Sequence, residues 1–368
     1  MPDRVVILGA SDLQLPLIEK AKSLGFETHV FAWAANDVGE KAADVFHPLS
    51  LTETEAILRV CRQLRPAAVA SIASDLAAVT AVKLAQSLGL PGNPPETAVL
   101  ASNKAAMRDA FQRVGLPTPW HWKIRQGESL PPASCLPFPL IVKPTDRSGS
   151  RGIFRLETPE GLAKAVAFAQ GESFERAAIL EEYMEGKEYS CECISENGKH
   201  TALAVTEKYT TGSPRFIEIG HIQPSGLSPE TEDRIRCAVF RALDALHVRT
   251  GASHTEFRIT QRGEIRLIET GARMGGDCIG SDLVPMTTGF DYVKMVLDAA
   301  LGRPIDRTPA LRPVPAAAVR YLLNREDLDH YTLLKREQPE AVLREHVHFD
   351  PSGSVVDSAS RKGFYILR

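Results

Sequence analysis

The sequence predicts an α/β protein of two or three domains, and three observations lead to this expectation. The chain has 368 residues, more than one hydrophobic core normally serves. Its first hundred residues alternate strand-like and helix-like runs, which is typical of a parallel sheet with helices on both faces. The tail from Arg312 contains strand-like runs separated by turns, which indicates a small β-rich unit.

The N-terminal elements follow one another in a regular order. Strands are predicted at 4–8, 27–32 and 67–72, with helices ending before Gly25 and Gly89. The turn after the first strand reads Gly9-Ala10-Ser11-Asp12-Leu13-Gln14 and lacks the second and third glycines of a dinucleotide fingerprint. A nicotinamide site is therefore not expected, although the region is Rossmann-like.

A second region begins after the linker-like segment 92–95. Asn103 is placed to cap a helix over 104–113, and a proline-rich crossing leads to a buried strand over 140–143. Another boundary is expected near 302–304. The predicted domains are therefore 1–97, 98–305 and 306–368.

Composition excludes several classes of protein. The net charge of −3 provides no strong field for nucleic acid or a membrane surface. No apolar run approaches the ~20 residues of a membrane span, and no signal peptide is recognisable. The six cysteines form no Cys-x-x-Cys motif, so neither a zinc site nor a disulfide framework is indicated. These features favour the cytoplasm.

Two glutamates, Glu256 and Glu269, carry the clearest chemical signal. They lie on the two arms of a predicted β-hairpin, and a two-residue loop at Arg262-Gly263 would place them opposite each other. Opposed side chains lie roughly 4.5–5.5 Å apart at Cβ, so the carboxylates repel unless a positive group separates them. Mg²⁺ is the natural occupant, with Mn²⁺ as a substitute. A solvent-facing acidic pair and a register shifted by a bulge at Gly263 are the alternatives.

Three further segments suit a nucleotide. Lys143 ends a buried strand and precedes a serine- and glycine-rich loop, with Ser148, Gly149 and Gly152, that could bend around a phosphate; an ordinary flexible loop is the alternative. The strand–turn–strand at 179–190 could bind a flat heterocycle through its backbone, or be a charged surface turn. Arg273 follows Glu269 and could bind an anion bidentately, or be only a counter-ion of the glutamates.

Across nearly the whole chain, the order of these segments resembles that of the ATP-grasp superfamily. The resemblance is to carboxylate–amine (amino acid) ligases and carbamoyl-phosphate-synthase-like proteins of that superfamily. The resemblance implies an N-terminal Rossmann-like parallel-sheet domain, a two-lobed ATP-grasp fold, and a small β-rich C-terminal subdomain.

The resemblance also implies roles for individual residues. Lys104 and Lys143 would bind phosphates, and 146–152 would be the flexible flap. Glu256 and Glu269 would bind Mg²⁺. Arg273 would hold the acyl phosphate or substrate carboxylate and, with Lys143, carry the catalysis. The adenine hinge would comprise Glu181, Glu182, Tyr183 and Met184, with Glu188 on the ribose.

One position departs from the family pattern. The common motif at the second glutamate is Glu-x-Asn-x-Arg, and Gly271 stands where the asparagine is usual. One oxygen ligand is thereby lost, which leaves open whether one or two metal ions bind.

The expected activity is that of an ATP-dependent ligase that joins a small carboxylic acid, such as an amino acid, to an amine through an acyl phosphate. Lys208, His221 and Ser281 are candidates for lining the substrate pocket, with a structural role for His221 as the alternative. Ammonia, carbon dioxide or a thiol as acceptor, or a non-catalytic ligand-binding module, are the rival functions. A homodimer through the first domain is compatible with the sequence.

Overall fold

The computed structural model describes residues 2–350 and 353–368, and it contains three β-sheets. The first is a parallel sheet in the order β3-β2-β1-β4. Its strands are β1 (Arg4–Leu8), β2 (Glu27–Ala32), β3 (Val45–Pro48) and β4 (Ala68–Ala70). The helices of this region are α1 (Leu15–Ser23), α2 (Val38–Ala42), α3 (Thr54–Leu64), α4 (Asp75–Leu88) and α5 (Pro95–Leu100). The α/β class and the parallel sheet are therefore confirmed.

The second sheet is antiparallel and has the order β5-β8-β6-β7. Its strands are β5 (His121–Arg125), β6 (Leu140–Pro144), β7 (Phe154–Leu156) and β8 (Ala177–Glu182). Helix α6 (Lys104–Arg113) precedes the sheet, and α7 (Leu162–Glu172) packs on it. The Asn103 side chain accepts a hydrogen bond from the Ala106 N–H, as the capping prediction required.

The third sheet is antiparallel, with the order β13-β12-β9-β10-β11-β14-β16-β15. Its strands are β9 (Lys187–Glu196), β10 (Lys199–Thr210), β11 (Glu218–Gln223), β12 (Gly251–Ile259), β13 (Ile265–Gly271), β14 (Ala317–Tyr321), β15 (Val342–Val347) and β16 (Gly363–Leu367). Four helices accompany it: α8 (Pro229–Ala245), α9 (Val284–Thr288), α10 (Tyr292–Ala300) and α11 (Arg325–Glu337).

The C-terminal region supplies the edge of this third sheet. Strand β14 pairs with β11, and β16 lies between β14 and β15. The tail is rich in strands, as expected, and its hydrogen bonds continue the sheet of the preceding region. The two domain boundaries stay predictions.

Helix α10 joins the first and third sheets through one apolar core. Val5 and Ile7 of β1 belong to the same buried cluster as Tyr292 and Val296 of the helix. The Tyr292 hydroxyl donates to the Cys193 carbonyl of β9 at 2.7 Å. A continuous core of this kind fixes the N-terminal α/β region against the sheet that carries the paired glutamates.

Candidate active site

Strands β12 and β13 place Glu256 opposite Glu269, which confirms the predicted pairing. The predicted two-residue loop is wrong, because Ile259 pairs with Ile265 and five residues lie between them. A register shift between Glu256 and Phe257 restores the expected partner. With the longer loop alone, Glu256 would pair with the residue next to Glu269. The bulge shifts the register by one residue and brings the two glutamates opposite each other.

Cationic side chains neutralise the two carboxylates. Lys208 and His254 both contact Oε1 of Glu256, with His254 Nε2 at 3.0 Å, and Lys104 Nζ lies 3.0 Å from Oε2 of Glu269. Burial alone would raise the pKa of Glu256, but Lys208 and His254 hold it well below its usual range. The glutamate side chains are only 17% and 22% exposed, so they do not form a solvent-facing acidic pair.

His254 was not anticipated from the sequence, although its position two residues before Glu256 puts both on one face of β12. Its Nδ1 contacts Glu192, directly across the sheet on β9. Burial lowers the pKa of His254, but Glu192 and Glu256 outweigh it and raise the pKa to about 9. The imidazole is therefore a positive charge at neutral pH, between two carboxylates.

Lys143 belongs to a buried ion-pair group centred on Glu181. Lys143 Nζ lies 2.7 Å from one carboxylate oxygen of Glu181, and Arg108 Nε lies 2.7 Å from the other. Burial raises the pKa of Glu181, but the two cations outweigh it and lower the pKa to about 2. The Glu181 side chain therefore fixes Lys143, and its backbone lies between β5 and β6 in the sheet. The hinge role of this residue stays a prediction.

The flap is tied to the protein on two sides. The Lys104 ammonium donates to the Arg147 carbonyl at 2.7 Å, and the Ser150 hydroxyl donates to the Phe216 carbonyl at 3.0 Å. Gly149 and Gly152 adopt positive φ angles of 73° and 67°, which only glycine takes without cost. Ser148 and Gly149 are exposed, as the tip of a loop that covers a ligand would be.

Arg258 fastens the predicted hinge to the glutamate hairpin. Its Nη1 donates to the Met184 carbonyl at 2.7 Å, and its Nη2 and Nε donate to Glu188 at 3.0 and 3.3 Å. Its guanidinium also lies 5.1 Å from the centre of the Tyr183 ring. Glu182, the remaining hinge residue, accepts from Arg266 at 3.0 Å. Strand β12 therefore carries both Glu256, a predicted metal ligand, and Arg258, which holds the predicted hinge.

Arg273 lies beyond the glutamate pair and is held by Asp75. The two side chains meet in a bidentate ion pair, with N···O distances of 2.8 and 3.2 Å. Asp75 begins α4 in the N-terminal α/β region, far from Arg273 in the sequence. A narrow cleft lined by Asp75, Lys104, Arg147 and Glu269 runs from this pair to the flap.

The three candidate pocket residues have different surroundings. Lys208 contacts Glu256 and lies 3.5 Å from Glu188. His221, paired with Lys208 across β10 and β11, is 1% exposed, and neither of its ring nitrogens has a hydrogen-bond partner in the part of the chain that the structure describes. Ser281 instead donates to Asp282 at 2.6 Å, and Asp282 binds Arg344. Within residues 2–350 and 353–368, no hydrogen bond links Ser281 to the glutamate pair.

Two residues near His221 extend this polar region. Glu218 accepts from the Ser358 hydroxyl, and Arg361 forms a two-point ion pair with Asp277. The Arg361 guanidinium lies 3.7 Å from the centre of the Tyr321 ring. Burial lowers the pKa of His221 to about 3, with a further contribution from Lys208. The imidazole is therefore neutral and offers one donor and one acceptor.

The glutamate pair fits a divalent metal ion. Within the described residues, no hydrogen bond reaches Oε2 of Glu256 or Oε1 of Glu269. Mg²⁺ is commonly held by one or two carboxylates and completed by substrate phosphates and water. The metal role of both residues stays a prediction.

Residues 136–282 match the family model of the ATP-grasp domain, which confirms the resemblance. Alanine–anticapsin ligase of Bacillus subtilis (strain 168) is 27% identical over 292 residues, covering 72% of this chain and 59% of that protein. Carnosine synthase 1 of Gallus gallus is 27% identical over 345 residues, covering 84% of this chain and 36% of that protein. The chain thus spans less than two thirds of the length of both relatives.

Solved structures match over nearly the whole chain. The L-amino acid ligase from Bacillus licheniformis has a TM-score of 0.82 and 25% identity, covering 99% of this chain and 93% of that one. An N5-carboxyaminoimidazole synthetase from Staphylococcus aureus, complexed with ADP, has a TM-score of 0.74 at 15% identity, and the match covers 100% of this chain and 94% of that one. At this identity the likeness shows the shared fold alone.

None of the helices within the described residues has the length and the apolar composition that crossing a membrane requires.

Glu181→Gln should destabilise the protein by about 3 kcal/mol at neutral pH, because it leaves Arg108 and Lys143 buried without their counter-charge. The folded pKa of about 2 lies below the usual 4.5, so the stabilisation is complete above pH 4.5 and is lost as the pH falls towards 2. The difference in free energy of unfolding between wild type and variant should narrow over that window.

Urea unfolding at a series of pH values measures this difference. Glu264→Gln is the control, because Glu264 is 52% exposed and pairs with Arg266 at the surface. A difference that stayed constant from pH 7 to pH 2.5 would contradict the role of the Glu181 charge.

Proposed function

We propose that this chain, which carries an ATP-grasp domain, is an ADP-forming ligase that joins a small carboxylic acid to an amine. One observation carries the proposal: Lys104 contacts both the flap and Glu269, and Glu269 faces Glu256. The residues that we assign to phosphate and to metal binding thus lie next to each other. The ligase names of the similar proteins support an amino acid as one substrate.

The reaction needs no protein nucleophile. The acid attacks the terminal phosphate of ATP to give ADP and an acyl phosphate, and the amine then displaces phosphate to form an amide. The protein must position the anions and compensate the charge that develops on the oxygen leaving the γ-phosphate. Mg²⁺, when bound, supplies further charge compensation at the phosphates.

Each part of the cleft has a proposed task. Lys104 and Lys143, with Ser148, Gly149 and Gly152 of the flap, bind the phosphates. The backbone of 181–184 binds adenine, and Glu188 binds the ribose. Arg273 holds the carboxylate or the transferred phosphoryl group. The closed flap excludes water and protects the acyl phosphate from hydrolysis.

His221 provides the argument for a second polar substrate next to the glutamates. Burying a polar group without a partner costs roughly 1–3 kcal/mol, and both ring nitrogens of His221 are buried and unpaired. A substrate amine or hydroxyl placed there would restore these hydrogen bonds. Lys208 lies opposite His221 in the pairing of β10 with β11. The substrate role of Ser281 stays a prediction, as do the cytoplasmic location and the homodimer.

Nucleotide binding separates this proposal from a nicotinamide-dependent function. Mg-ADP should raise the unfolding temperature, on the order of a few degrees at saturation, because it binds only the folded state. NAD should leave it unchanged. Lys104→Met should abolish most of the shift, whereas Lys83→Met, on the exposed side of α4, should retain it. A shift with NAD and none with Mg-ADP would refute the assignment.

The intermediate can be trapped with hydroxylamine, a small nucleophile that converts an acyl phosphate to a hydroxamate. With ATP, Mg²⁺ and the correct acid, we expect hydroxamate and ADP in equal amounts. Arg273→Ala should lose hydroxamate formation by about a hundredfold while nearly preserving the KM for ATP, because the nucleotide contacts lie elsewhere. The exposed Arg325→Ala is the control.

The outcomes distinguish the rival functions. ADP without hydroxamate from any acid would indicate another acceptor chemistry on the same fold. Nucleotide binding without any ADP release would indicate a binding module.

A further inference from the structure

The glycine at position 271 faces a carboxylate from a distant part of the chain. A Cβ atom added to Gly271 would lie 2.9 Å from Oδ1 of Asp75 and 3.2 Å from Nε of Arg273. The first distance is shorter than side chains tolerate. Any larger residue at 271 therefore requires the Asp75 carboxylate to move from its present position.

The segment that carries Asp75 is inserted into the glycine-rich turn after β13. The Ala73 N–H donates to the Met274 carbonyl at 3.1 Å, and Gly276 leaves room for Ala73, whose Cβ would lie 3.2 Å from an added Cβ. Ser74 caps α4 through the Ala77 N–H. Gly271 and Gly276 thus leave room for the loop that leads into α4. The Ser74 cap then fixes the position of Asp75, the first residue of that helix.

Asp75 leaves part of the Arg273 guanidinium free. Nε and Nη2 donate to Asp75, and Nη1 makes a longer contact of 3.4 Å to the Met274 carbonyl. Arginine has five N–H donors, so two remain for an anion. The ion pair also stops Arg273 from folding onto the glutamates, which are the other negative groups in its surroundings.

We propose that Asp75 is a positioning residue for Arg273, and that glycine occupies position 271 because Asp75 enters the active site there. The N-terminal α/β region is then part of the site and not only a neighbour of it. This inference rests on the proposed function, because Arg273 is taken to bind the reacting acid. The proposal also explains why glycine stands at position 271 in place of the usual asparagine, because Asp75 enters the site from elsewhere in the chain.

The first test is a mutant cycle read by hydroxamate formation. Asp75→Ala should raise the KM for the acid roughly tenfold and lower kcat by up to about a hundredfold, with the KM for ATP within about twofold of wild type. Gly271→Ala should have a similar effect, because its Cβ displaces Asp75. The double variant should lose less than the sum of the two single losses, since the carboxylate that the Cβ displaces is already gone.

Rescue provides the sharper criterion. In the Asp75→Ala background, Gly271→Asn restores the usual side chain in the vacated room and should recover part of the rate, whereas the same change in the wild-type background should not. Asp329→Ala, at an exposed ion pair on α11, is the control and should alter nothing. Additive losses in the cycle, or normal kinetics for Asp75→Ala, would overturn the proposal.

A second readout keeps the inference testable if no acid is ever found to react. The losses in unfolding temperature of Asp75→Ala, Arg273→Ala and the double variant should be non-additive, because either single change leaves a mostly buried charge without its partner. Strictly additive losses would show that the two side chains are not coupled. This result would refute the positioning role, while a missing hydroxamate in wild type would refute only the proposed function.

Discussion

The opposed carboxylates of Glu256 and Glu269 set the main constraint on this structure. Two negative groups at one position of a β-hairpin are stable only if positive groups surround them. Lys208 and His254 satisfy this need at Glu256, and Lys104 does so at Glu269. The same cations reach the flap and the neighbouring strands, so charge compensation also organises the cleft.

The compensation draws on every part of the chain. The N-terminal region contributes Asp75 to Arg273, the antiparallel four-stranded sheet contributes Glu181 to Lys143, and β9 contributes Glu192 to His254. Helix α10 keeps the first and third sheets in a fixed relation through a shared core. The structure therefore presents a preorganised set of charges, which is how proteins stabilise charge movement without a protein nucleophile.

Local patterns were sufficient for much of the fold and for half of the site. The Asn103 cap, the parallel N-terminal sheet and the facing glutamates follow from short-range rules, although the loop length was wrong and a bulge compensated for it. Asp75 and Arg108 were missed because each acts on a partner that lies far away in the sequence. A single sequence does not show which residues far apart in the chain come into contact. Only His254 and Arg258, each two residues from Glu256 on a strand, carried a local signal.

Divalent-ion binding tests the central claim most directly. Mn²⁺, observed by electron paramagnetic resonance, can be titrated against the protein with and without ADP. We expect tight binding that requires the nucleotide and is lost in the Glu256→Gln/Glu269→Gln double variant. Equal affinity in the wild type and the double variant would contradict the account, because the facing carboxylates would then hold no metal.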